Sequence, residues 1–80
     1  MIDTVVRLEQ LRAGQKGRIR RIEGETDQVH RLKEFGLSGG VRIQVFRSGN
    51  PCIIQMAGSK VCIRADRSVS VLVEPDEAGD

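Results

Sequence analysis

The sequence predicts a mainly β domain, a small barrel of about five to six short strands with one α-helix. Short apolar runs separated by glycine-rich turns are typical of antiparallel strands, and a barrel leaves few exposed strand edges. Only residues 27–40 have the apolar spacing of a convincing helix. Trp and Tyr are absent and Phe occurs twice among 80 residues, so Val, Ile and Leu must build the core. Branched aliphatic residues suit strands.

The first 24 residues contain a leucine pair and the first strand. Leu8 and Leu11 are three residues apart, a spacing that suits one helical or 3₁₀ turn with both side chains on the same side. Gly14 and Gly17 then bracket a turn. A strand follows over 17–24, but its isoleucines at 19 and 22 break the two-residue period of a strand. Burying both requires a bulge or bend, which is how a small sheet curls towards a barrel.

The apolar face of the predicted helix consists of Val29, Leu32 and Phe35. These residues are three apart and fall on one side of a helix, so we expect all three to face the core. Thr26 and Asp27 are both good N-cap residues, because a side-chain oxygen can accept a hydrogen bond from a free backbone N–H. One of these two residues is therefore predicted to be the N-cap of the helix.

The helix is predicted to end in a glycine-rich corner. Gly36 directly follows the last apolar residue and can adopt the left-handed conformation that terminates a helix. Leu37 can then fold back against the helix and make the apolar contact that accompanies this cap. The chain continues into a regularly alternating strand at 41–46.

The second half of the chain predicts a hairpin and a last strand, at 69–73. A two-residue turn at Ala57-Gly58 would pair Ile53 with Cys62, and alternation would place Cys52 on the opposite face of the sheet. Cysteines on opposite faces cannot form a disulfide, whose Cβ atoms lie ~3.8 Å apart. We therefore expect two free thiols, a buried inert Cys52 and a partly exposed Cys62.

The charge of the chain is unevenly distributed. The formal net charge is +2, but the body, with 13 basic and seven acidic residues, carries +6, and the last seven residues carry −4. We expect residues 1–75 to form one domain and residues 76–80 an acidic disordered tail. No apolar run approaches the ~20 residues that span a bilayer. Early charged residues argue against a signal peptide, so we expect a cytoplasmic protein.

One helix face offers a weak candidate metal site. Asp27, His30 and Glu34 cluster within a narrow arc of the helix, and oxygen and imidazole ligands suit Fe²⁺ or Mn²⁺. A solvated helix face has the same composition, however, with Asp27 engaged as the N-cap and Arg31 and Lys33 flanking the cluster. The sequence assigns no firm cofactor, with a divalent transition metal as the alternative.

Catalysis and nucleic-acid binding are both disfavoured by the residues present. The single histidine is expected on an exposed helix face, and no Ser/His/Asp or Cys/His set accompanies it. The glycines lack the following Gly-Lys-Ser/Thr of a phosphate loop. Residues 18–21 form a dense basic strand, but single-strand readers stack bases on aromatic side chains, and we expect both Phe35 and Phe46 in the core. We expect neither an enzyme nor a nucleic-acid partner.

Three motifs span the first half of the chain: L-x-x-L-x-x-G from residue 8, G-x-I-x-x-I from residue 17 and R-L-x-E-F-G-L-x-x-G from residue 31. A P-x-I-I hairpin from residue 51, then Gly58 and the Arg64-Ala65 turn, continue the pattern. Over roughly residues 4–75 the chain resembles the FeoA family, small cytosolic proteins of bacterial ferrous-iron uptake. Phe35 stands where that family usually has Met, and the two cysteines lie outside the pattern.

The resemblance implies an SH3-like barrel with one helix. It also implies a non-enzymatic role beside FeoB, the membrane ferrous-iron transporter with a cytosolic GTPase domain, which FeoA binds and supports. The alternative is a divalent-metal binding or sensing module, since FeoA-like modules also form the C-terminal domain of iron- and manganese-dependent repressors. In those repressors a DNA-binding domain precedes the module, and residues 1–13 leave no room for one.

A partner surface is predicted at the glycine corner and on the hairpin. Leu37, together with the outward-facing pair Ile53 and Cys62, is expected to supply the apolar contact. The alternative for Leu37 is a purely structural cap contact. The sequence leaves open whether the chain forms homo-oligomers and whether it activates, gates or stabilises the transporter.

Overall fold

The computed structural model describes residues 4–64 and 69–76, and in that part of the chain six strands form one antiparallel sheet that curls around a single core. The strands are β1 (Val6–Arg7), β2 (Lys16–Gly24), β3 (Arg42–Arg47), β4 (Cys52–Met56), β5 (Ser59–Ile63) and β6 (Val69–Pro75). Their order in the sheet is β1-β6-β2-β3-β4-β5. The prediction of a mainly β, small SH3-like barrel with one α-helix, α1 (Thr26–Glu34), is confirmed.

The core is aliphatic, as the composition requires. Alternate residues of β3, β4 and β6 point inwards. Leu8, which begins a 3₁₀ turn at Leu8–Gln10, and Leu11, which directly follows that turn, are also buried. The buried cluster consists of Leu8, Leu11, Ile19, Leu37, Ile43, Val45, Cys52, Ile54, Met56, Ile63, Val71 and Val73. The two-residue strand β1, which pairs with β6, is too short to leave a periodic signal and was not predicted.

The predicted bend in β2 is present. The register of β2 against β6 shifts between Ile19 and Arg21, so that Ile19 is fully buried and Ile22 packs partly buried against the same core. The start of β2 also pairs with β3. Because one long bent strand joins both halves of the sheet, the sheet curls instead of lying flat.

The helix ends as predicted but begins differently. The N–H of Gly36 donates to the Lys33 carbonyl (2.9 Å) and that of Leu37 to the Leu32 carbonyl (3.1 Å), with Gly36 at φ +99°. These two bonds define a Schellman motif, which satisfies the last helix carbonyls. At the other end Glu25 is the N-cap without a side-chain cap bond, and Thr26 is already helical. The predicted caps Thr26 and Asp27 are therefore wrong, because both residues lie inside the helix, after the N-cap.

The helix packs on the barrel through part of its predicted face. Val29 and Leu32 are half-buried, whereas Phe35 is 59% exposed, so its assignment to the core is wrong. A three-residue spacing falls 60° short of a full turn, so Phe35 lies about 120° round the helix from Val29.

None of the helical segments in the described ranges has the length and apolar character to span a bilayer.

The hairpin register is confirmed residue by residue. Ile53 lies opposite Cys62, and a two-residue turn at Ala57 and Gly58 joins β4 to β5. Both turn residues have positive φ, +49° and +80°, as a type I′ turn requires. Glycine accepts this conformation readily, but alanine does not.

Replacing Ala57 with asparagine is therefore expected to stabilise the protein by about 0.5–1 kcal/mol, because Asn-Gly is the favoured pair in this turn. Thermal denaturation followed by circular dichroism should show a rise in Tm of about 2–8 °C for a domain of this size. Ala57→Val is the opposing control, since a β-branched residue at positive φ must lower the Tm.

Asp76, the first residue after β6, forms hydrogen bonds to the body of the domain. The N–H of Asp76 donates to the Lys16 carbonyl (2.9 Å), and its carboxylate accepts a hydrogen bond from Arg42 (2.6 Å). Residues 77–80 of the predicted tail lie outside the described residues.

Candidate functional site

The outer face of strands β3, β4 and β5 carries a row of apolar side chains. Along β4 the residues Cys52, Ile54 and Met56 point into the core, so Ile53 between them points outwards and is half-buried. Cys62 lies directly opposite Ile53 on β5 and is exposed. The two predicted hairpin residues are therefore neighbours on one surface.

Phe46, on β3, is a further apolar side chain on this outer face. It is 55% exposed, so its expected place in the core is wrong. The signal was present in the sequence: Ile43 and Val45 point inwards, so strict alternation directs Phe46 outwards. A register shift between Val45 and Arg47 lies at the same point, where β3 bends against β4. An exposed phenylalanine on β3, next in the chain to Arg47, which lies opposite Ile53, is what sequence reasoning missed.

Lys60 covers part of this surface. Its Nζ lies 3.8 Å from the centroid of the Phe46 ring, which requires the side chain to reach from β5 across β4 towards β3. An exposed cation–π contact of this kind contributes about 0.5–1 kcal/mol. We call Phe46, Ile53, Lys60 and Cys62 the outer patch.

The segment of the chain that carries the outer patch contains charges of one sign. Between residues 35 and 65 the sequence contains four basic and no acidic residues. Arg42 is neutralised by Asp76. Arg47, Lys60 and Arg64 form no ion pair with another residue of the described ranges. The outer patch is therefore apolar at its centre and basic around it.

Leu37, the third predicted contact residue, is in the core. Its side chain is 0% exposed and packs in the buried cluster, so it presents no surface to a partner. The reason is the Schellman motif, which turns the chain so that the residue after Gly36 points back inwards. The structural alternative for Leu37 is therefore correct, and the predicted surface contact is wrong.

The two cysteines differ in environment as predicted. Both are free, Cys52 buried and Cys62 exposed. Burial raises the pKa of the Cys52 thiol above its ordinary value, and the charges of Glu9 and Cys62 raise it further. A raised pKa leaves less thiolate, which is the reactive form, at any given pH.

Iodoacetamide at pH 8 is therefore expected to alkylate one thiol of the native protein, and peptide mass mapping should place the adduct on Cys62. Cys52 should react only when the chain is unfolded in guanidinium chloride, because both its burial and its raised pKa are then lost. Cys62→Ser is the control and should abolish native alkylation. Rapid native labelling of Cys52 would contradict the packing described above.

The candidate metal ligands do not assemble into a site. His30 Nε2 and Glu34 Oε2 are 3.8 Å apart, and both side chains are exposed. Asp27 does not join them, and the described residues contain no group of three or more His, Cys, Asp or Glu side chains placed to hold a metal ion. The helix face therefore offers one solvent-exposed pair.

The basic strand is partly neutralised by its neighbours. Arg20 forms an ion pair with Glu74 on β6 (2.7 Å), and Arg21 pairs with Glu23 on its own strand (2.8 Å). Arg18 lies between Arg42 on β3 and Glu74 on β6 in the register of the sheet. The acidic residues near the C-terminus thus offset part of the basic surface.

Comparison with known proteins gives a consistent result. The sequence profile of the FeoA domain matches residues 6–75. The crystal structure of a protein described as an iron uptake regulatory protein (FeoA) is 32% identical in sequence and superimposes with a TM-score of 0.77, over 90% of this chain and 99% of that one. No curated protein sequence matches the chain.

Proposed function

Because the chain belongs to the FeoA family, we propose that it is a non-enzymatic accessory protein of bacterial ferrous-iron uptake that binds and supports the FeoB-type membrane transporter, a protein with a cytosolic GTPase domain. The match of the FeoA domain over residues 6–75 is the observation that carries this proposal. On this proposal the protein is cytoplasmic, its working domain is residues 1–75, and residues 76–80 form an acidic tail.

The outer patch supports a role in binding. Apolar side chains on the outer face of neighbouring strands, with basic residues close to them in the chain, are typical of protein contact surfaces. Phe46 and Ile53 supply the apolar centre, and Cys62 borders it on β5. We propose this surface as the contact with the transporter, with Phe46 taking the place that Leu37 was expected to hold. The His30–Glu34 pair alone does not favour the metal-binding alternative.

Deletion of the gene tests the proposed role in the cell. Uptake of radiolabelled Fe²⁺ under iron limitation should fall in the deletion strain, and expression of the wild-type chain should restore it. Uptake that stays at the wild-type rate after deletion would refute the proposal.

The contact surface is tested by binding to the purified transporter. Phe46→Ala is expected to weaken binding about tenfold, since an aromatic anchor at the centre of an interface commonly contributes this much. Ile53→Arg should weaken it further by placing a charge in the apolar centre. Phe35→Ala is the matched control, because Phe35 is similarly exposed but lies at the helix end. Equal loss in both phenylalanine variants would exclude the outer patch as the specific contact.

A further inference from the structure

Strand β5 is an edge of the sheet. It pairs with β4 on one side, and no strand within residues 4–64 and 69–76 pairs with its other side. An edge strand presents unpaired N–H and C=O groups that another chain can use. The opposite edge, β1, is two residues long and offers much less.

The hairpin turn determines which backbone N–H and C=O groups of β5 do not bond to β4. Met56 and Ser59 flank the two-residue turn and form a hydrogen-bonded pair, and such pairs alternate along an antiparallel ladder. Ser59, Val61 and Ile63 therefore direct their backbone groups towards β4. Lys60 and Cys62 direct theirs to the open side, and neither residue forms a backbone hydrogen bond to a described residue outside the hairpin. The free edge thus offers two complete N–H and C=O pairs.

The same two residues project their side chains onto the outer patch. A strand added at this edge would place one residue directly opposite Lys60 and another, two positions away, opposite Cys62. The residue opposite Cys62 would continue the apolar row that begins at Phe46 and Ile53. The residue opposite Lys60 would meet a cation.

The basic charge near the β5 edge determines which kind of segment fits there. Lys60 lies on the edge strand, Arg64 directly follows it and Arg47 lies two strands away on β3, while residues 35–65 contain no acidic residue. A second copy pairing edge to edge would bring two such basic strands together, and like charges across strands are destabilising. An acidic segment is complementary to the same surface.

We infer that the free edge of β5 accepts an extended segment of a partner protein in which apolar and acidic residues alternate on the patch side, with the acidic residue opposite Lys60 and the apolar residue opposite Cys62. This inference rests on the proposed function and specifies how the partner is held, by addition of a strand to the sheet. Backbone hydrogen bonds supply affinity, and the outer patch supplies selectivity.

The probe is an octapeptide whose patch-side positions alternate valine and glutamate, with threonine between them, and the protein is the full chain labelled with ¹⁵N. At about 1 mM peptide, a concentration suited to a single weak peptide contact, amide hydrogen exchange at Lys60 and Cys62 should slow markedly. Exchange at Val61, which already bonds to β4, should not change. A matching peptide with lysine in place of glutamate should bind at least about tenfold more weakly.

Two matched variants separate the backbone from the side chain. Cys62→Pro removes the outward N–H and should weaken peptide binding about tenfold, whereas Cys62→Ala, which keeps that N–H, should change binding less than about threefold. Lys60→Glu leaves the backbone intact and should shift the preference to the lysine peptide, so the test does not depend on how well the proline variant folds.

The outcomes are distinct. Absence of protection at Lys60 and Cys62 with the glutamate peptide, or an unchanged preference in Lys60→Glu, would overturn the inference. If deletion of the gene still lowers ferrous-iron uptake, that failure would count against this edge alone and leave the proposed function intact.

Discussion

Replacement of Leu37 by alanine is expected to lower the free energy of unfolding by about 2–5 kcal/mol. The side chain is completely buried, and it packs in the cluster against which Leu32 rests. Alanine would leave a cavity at the point where the helix end meets the barrel. A domain of 80 residues has a stability of roughly 4–12 kcal/mol, so this loss is a large part of the total.

Urea denaturation followed by circular dichroism would measure the loss. Leu37→Met is the control, because it nearly conserves volume and should cost less than about 1.5 kcal/mol. The fraction of Leu37→Ala that remains folded should bind the transporter with the affinity of the wild-type protein. If Leu37→Ala were as stable as the wild type but did not bind the transporter, Leu37 would have to be part of the contact surface.

Gly17→Ala is expected to lower the free energy of unfolding by about 3 kcal/mol, at the upper end of the usual range for overpacking. Gly17 is buried where β2 pairs with both of its neighbours, opposite Pro75 on β6 and Ile43 on β3. A Cβ at this position would lie 2.7 Å from Val73 Cγ1 and 2.9 Å from the Glu74 carbonyl oxygen. The carbonyl belongs to the backbone, so relief requires the two strands to separate.

The same denaturation experiment applies to this variant. Lys16→Ala, on the preceding and exposed residue, should change stability by no more than about 0.5 kcal/mol. If Gly17→Ala were equally mild, β2 and β6 could not be packed as closely as described. The sequence marks Gly17 as a turn residue, and nothing local reveals that a second strand passes within contact distance of it.

The elements that were predicted well are those specified by near neighbours in the chain. The Ala57-Gly58 turn determines the whole register of the hairpin, because each later pair follows from the one before it. The Schellman motif at Gly36 likewise depends on residues within one helical turn. The break in the period between Ile19 and Ile22 correctly indicated the bend in β2.

The errors have a common physical origin. Phe35 was assigned to the core on its spacing from Val29 and Leu32, and Phe46 on its apolar character, but both side chains are exposed. The candidate metal ligands share a helix face, yet only His30 and Glu34 approach one another. Burial and ligand geometry depend on where the backbone carries a side chain, which composition does not specify.

For this protein, local chain chemistry was sufficient to specify the five longer strands, the helix end, the hairpin and the separation of the two thiols. Three features were decided by distant segments meeting: the close approach of β6 to Gly17, the ion pair between Arg42 and Asp76, and the approach of Lys60 to Phe46 across β4. Turns and periodicity act over a few residues and are readable along the chain. Contacts across the sheet join residues far apart in sequence, so they exist only once the sheet has assembled.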